Sequence, residues 1–109
     1  SEYPFEKKLK FNEMSLQLYE EGSLGITPHM DGLSCINLIC IFVITGRATF
    51  ALCDDREGNN QKYLDGTPGN LIIMRAPGFM GSDFRPFHLL KDVFEKRIAF
   101  GLRQNIKKI

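Results

Sequence analysis

The chain has only two histidines, and one of them lies in the run Thr27-Pro28-His29-Met30-Asp31-Gly32. His29 and Asp31 are separated by one residue, so in an extended segment both side chains project from the same face. An imidazole and a carboxylate presented together are two ligands for a divalent metal. A third has to come from elsewhere, and the other histidine, His88, is the remaining imidazole. Two imidazoles and one carboxylate on one triangular face of an octahedron leave three positions open, the donor set that suits non-haem Fe(II).

A second group of residues is gathered in Arg97-Ile-Ala-Phe-Gly-Leu-Arg103. In an extended strand Arg97, Ala99, Gly101 and Arg103 share one face, while Ile98, Phe100 and Leu102 share the other. The apolar set is expected to pack into a core. The arginine set leaves two small residues between two guanidinium groups, which makes room for a bound molecule. An arginine fork is suited to gripping a carboxylate bidentately.

Short strand-like runs separated by turn signals dominate the chain, the mark of an all-β sandwich or barrel. From Phe11 to Tyr19, Met14, Leu16 and Leu18 alternate with Ser15, Gln17 and Tyr19, which predicts an apolar face toward the core and a polar face away from it. Gly22 and Gly25 end that strand. Leu33 to Ile44 is nearly continuous and rich in β-branched residues, as expected of a central strand covered on both faces. Further strands are expected over Arg47–Cys53, Gln61–Leu64, Asn70–Met74, Phe84–Leu90 and Lys96–Gln104. "DDREGNNQ" is a hairpin tip, and "DGTPGN" a turn using Gly66 and Gly69 for unusual backbone angles. Residues 3–10 are expected to form at most a turn of helix. Seven to eight strands in a single domain spanning residues 1–109 close naturally as a two-sheet jelly-roll barrel with a ligand cavity between the sheets.

Composition narrows the classes. A net charge of +1 exerts no bulk pull on nucleic acid or anionic lipid, so nucleic acid is not favoured without a local patch. The longest apolar run, Ile36 to Ile44, falls short of the roughly 20 residues a bilayer span needs. Cys35, Cys40 and Cys53 are odd in number and form no Cys-x-x-Cys pair, so neither a disulfide framework nor a zinc knuckle is indicated. With a charged N-terminus that has no apolar leader, a cytoplasmic setting is expected. In "APGFMGSDFRPF" the side chains Phe79, Met80, Phe84 and Arg85 are candidates for a substrate rim or, more simply, for pinning a loop; Tyr63 and Arg75 are read as structural.

The order His29-x-Asp31, His88, then Arg97 and Arg103 resembles the 2-oxoglutarate and Fe(II)-dependent dioxygenases of double-stranded β-helix (jelly-roll, cupin-like) fold. Its arginine pair most resembles that of the AlkB-like branch. The resemblance covers about Phe11 to Gln104 and includes "LQLYEEGSLGITPHMD" and "GTPGNLIIMRAPG", with Ala99 and Asn70 departing from the branch pattern. It implies His29, Asp31 and His88 as Fe(II) ligands, and Arg97, helped by the Tyr19 hydroxyl, as the grip on the distal carboxylate of 2-oxoglutarate. It places Arg103 near the carboxylate beside the metal and Gln17 at a cosubstrate contact. Fe(II), 2-oxoglutarate and O2 are the implied cofactor and cosubstrates; against the family pattern the sequence is expected to be a core without the N-terminal extension that normally supplies helices and a lid, and the prime substrate is left open. The contrasting expectation is a cupin-like barrel that binds a metal or small carboxylate without turnover. Pairing with a second copy would shield exposed sheet edges.

Overall fold

The computed structural model describes residues 3–108. Eight strands form in the order β1 (Glu13–Tyr19), β2 (Ile26–His29), β3 (Cys35–Thr45), β4 (Thr49–Cys53), β5 (Lys62–Leu64), β6 (Leu71–Arg75), β7 (Phe87–Lys91) and β8 (Arg97–Asn105). They make two antiparallel four-stranded sheets, ordered β1-β8-β3-β6 and β2-β7-β4-β5. The pairs β1·β8, β2·β7, β3·β6 and β4·β5 are nested like the arms of one long hairpin whose tip is the β4–β5 turn. That tip is tied by Asp55, whose carboxylate accepts from the backbone N–H groups of Glu57 and Asn59 at 3.1 Å each.

The core lies between the sheets. Ile39, Ile41 and Val43 of β3, with Ile72 and Met74 of β6, face Phe50 of β4 and Leu90 of β7. Each fully buried side chain of this size contributes about 1.5–3 kcal/mol. The alternation within β3 and β6 decides which residues point inward, as a period of two requires.

Several expectations are corrected here. Met14, Leu16 and Leu18 are exposed, and Ser15, Gln17 and Tyr19 face inward, so β1 is turned over relative to the apolar-in reading. Ile98, Phe100 and Leu102 are only half-buried and share that outer surface, while Arg97, Ala99 and Gly101 are buried. β3 is central but not covered on both faces, because Phe42 and Ile44 are exposed. Residues 3–10 contain no helix, and Phe5 instead bridges to Phe79. Gly66 lacks the positive φ expected of it; it is buried against Phe50 and Ile72. β2 is an additional short strand within the His29 segment. Among the described residues no helix is long and apolar enough to cross a membrane.

Two turn glycines carry different constraints. Gly46 (φ +87°) would place a Cβ 2.1 Å from the backbone oxygen of Lys96, whereas a Cβ at Gly69 (φ +93°) meets open space. Gly69→Ala is therefore expected to cost about 1 kcal/mol from backbone strain alone. Gly46→Ala should cost at least about 3 kcal/mol because backbone must move as well. Urea unfolding of the two variants checks the difference, and equal losses would contradict it.

Candidate metal centre

The antiparallel register of β2 and β7 pairs His29 directly with His88, and their ring centroids lie 4.2 Å apart. Strand pairing thus brings together two residues distant in sequence. Asp31 follows just beyond β2, and its carboxylate oxygens have separate partners. Oδ1 faces His88 Nε2 at 3.3 Å and His29 Nε2 at 3.8 Å, while Oδ2 accepts a 2.7 Å hydrogen bond from Arg103 Nε. Among the described residues His29, Asp31 and His88 form a group that can hold a metal ion, their ligand atoms all lying within 4.8 Å of one another. Adjacent ligands around an ion bound at about 2.1 Å sit ~3 Å apart. Small side-chain rotations close the difference.

The surroundings prepare these groups as ligands. His29 Nδ1 lies 2.9 Å from the Thr27 carbonyl and His88 Nδ1 3.4 Å from the Pro86 carbonyl. Each carbonyl is placed to accept a hydrogen bond from Nδ1, which orients the rings with Nε2 toward Asp31, the outer-shell arrangement usual for metal-bound histidine. Burial pushes the His29 pKa down, and the partly opposing Thr27 carbonyl does not restore it, so its imidazole is neutral at pH 7. For Asp31 burial pushes the carboxyl up. The contact with His88 and the hydrogen bond and charge of Arg103 outweigh it and hold Asp31 well below the usual carboxylate range. Phe50 stacks on His88 at 5.9 Å and fixes its plane.

Arg103 reaches Asp31 from the opposite sheet. It also donates from Nη1 to Ser15 Oγ at 3.2 Å, and Arg85 donates to the Asp31 backbone carbonyl. Gly101 makes room for this arrangement, since a Cβ there would lie 2.8 Å from Arg103 Nη1 and 2.9 Å from Ser15 Oγ. Sequence reading singles out neither Ser15 nor Phe50 for this centre; Ser15 is legible as a member of the Gln17 and Tyr19 face, whereas Phe50 carries no local signal. Arg85, a candidate rim residue, donates to the Asp31 backbone carbonyl.

A cavity of about 80 Å³ adjoins the cluster, lined by Gln17, Tyr19, His29, His88, Arg97 and Arg103 among others. All seven residues singled out from the sequence are therefore brought to one place. Arg97 is 2% exposed, and its Nε and Nη1 have no hydrogen-bond partner among the described residues. Burial pushes its pKa down, with Tyr19 opposing. Other residues stay outside the centre. Phe79 and Phe84 flank the Arg75 guanidinium at 5.2 and 5.5 Å, pinning the 76–86 loop, and Tyr63 lies under Lys91. Asn70 secures its turn by donating to Thr67 Oγ1 at 2.8 Å.

No protein-family model matches the chain, and comparison with curated proteins finds no match.

His88→Ala is expected to abolish stoichiometric uptake of Co(II), a spectroscopic stand-in for other divalent ions. Arg103→Met, which leaves all three ligands in place, should weaken it about 10–100-fold. Absorbance titration measures both. Unchanged affinity in Arg103→Met would show that the Asp31–Arg103 bond does not orient the ligand.

Proposed function

We propose that the chain is an Fe(II)- and 2-oxoglutarate-dependent dioxygenase. A buried guanidinium with unpartnered N–H groups, in the same cavity as two imidazoles and a carboxylate, carries this reading. An unpaired buried charge is costly, and a ligand carboxylate is the partner that offsets it. The donor set is the two-histidine, one-carboxylate face typical of non-haem Fe(II) oxygenases. The nested antiparallel pairing of eight strands in two sheets supports the jelly-roll, double-stranded β-helix reading. The order of His29, Asp31, His88, Arg97 and Arg103 along the chain resembles that of the AlkB-like branch.

In this reading His29 Nε2, His88 Nε2 and Asp31 Oδ1 hold Fe(II). Bound with 2-oxoglutarate and O2, the metal supplies oxidation of a substrate C–H bond, one oxygen atom going to the product and the other to succinate as CO2 is released. The protein positions and neutralises. Arg97, with Tyr19 and Gln17 beside it, holds the distal carboxylate of 2-oxoglutarate. Arg103 keeps Asp31 ionised and leaves Oδ1 for the metal. The cavity holds several water-sized groups, the scale of a small dicarboxylate.

Anaerobic addition of Fe(II) and 2-oxoglutarate is expected to give the visible charge-transfer band of the chelate, and admission of O2 to yield succinate. Arg97→Leu should weaken 2-oxoglutarate binding about 100-fold, the loss of two charged hydrogen bonds, without changing Co(II) affinity. Because it removes an uncompensated buried charge, the same change should leave the ligand-free protein at least as stable in thermal unfolding. Metal uptake with neither band nor succinate would overturn the dioxygenase in favour of a cupin-like metal binder.

A further inference from the structure

The outer face of the β1-β8-β3-β6 sheet plays no part in the centre described above. Cross-strand register lines up two complete rows on it, Met14-Leu102-Cys40-Ile73 and Leu16-Phe100-Phe42-Leu71. Leu18 and Ile98 begin a third row that ends in register on Thr45, with Ile44 exposed beside it at the β3 bulge. Every member but Thr45 is apolar. Charge is confined to the rim, where Glu20 and Lys96 pair at 3.8 Å and Arg75 is held against the 76–86 loop.

Seven of these side chains, Met14, Leu16, Leu18, Phe42, Ile44, Leu71 and Ile73, are 39–69% exposed. At on the order of 200 Å² per large side chain, they present roughly 700 Å² of contiguous apolar surface. The largest patch on an ordinary monomer is about 300–600 Å². A stable pair buries roughly 800 Å² on each partner.

We propose that this face is the interface of a two-fold homodimer, sheet packed against sheet. The area matches what one such pair requires with no help from another surface. A face without charge meets its own copy with no ion to desolvate and no like charges opposed. Twisted antiparallel sheets pack face to face at about 10 Å, a spacing that interdigitated Leu, Ile and Phe side chains fill. Arg97, Gln17 and Tyr19 project from the other side of the same sheet, so pairing leaves the cavity free.

Sedimentation equilibrium of the full chain at about 100 µM, above the Kd of a weak specific pair, is expected to give twice the 12.4 kDa chain mass. Leu16→Glu combined with Phe42→Glu should weaken the dimer at least 100-fold while circular dichroism and Co(II) uptake stay unchanged. If that variant does not fold, Met14→Lys, at the exposed end of the other row, carries the same expectation. A monomeric wild type, including one whose face binds a hydrophobic dye and so awaits a different occupant, overturns the proposal. So does a dimer that survives both variants, or assembly that continues beyond two copies.

Discussion

One buried carboxylate sets the terms for the interior of this protein. Asp31 is ionised between two sheets, and an ion there is tolerated only when both oxygens are partnered. Arg103 reaches Oδ2 from the β1-β8-β3-β6 sheet, and the two histidines approach Oδ1 from the other sheet. The contact therefore joins the layers at a point where apolar packing gives way. It also divides the carboxylate into a held oxygen and an available one, as a monodentate metal ligand requires.

The polar lining of β1 follows from that arrangement. Ser15 accepts from Arg103, and Gln17 and Tyr19 wall the cavity beside Arg97, so the inward face of this strand is the polar one. With a period of two, turning three polar residues inward turns Met14, Leu16 and Leu18 outward. The apolar outer surface of the sheet is thus linked to the polar centre inside through the pleat of one strand. Core stability then rests mainly on β3, β6, β4 and β7, whose inward residues make the apolar cluster.

Arg97 adds a constraint of another kind. A guanidinium buried among Tyr19, Phe50 and Leu90, with no partner among the described residues for two of its nitrogens, is a poor choice for stability alone. Its position at the start of β8, where Arg97 pairs in register with Tyr19, fixes it beside the cavity. Ala99 and Gly101 keep the same strand face low between the two arginines.

Much of this was legible in the chain. The spacing of His29 and Asp31 determined that they share a face, and the spacing of Arg97, Ala99, Gly101 and Arg103 determined that the arginines flank small residues, because a strand repeats every two residues. Turn chemistry at Gly46 and in residues 54–61 marked strand ends. Only the tertiary structure decided which face of β1 and β8 is inside, since alternation defines two faces without saying what lies opposite either. It also decided that His29 pairs with His88, and that Arg103 holds Asp31. Those contacts depend on the register between strands and the stacking of two sheets, long-range relations that no local pattern encodes.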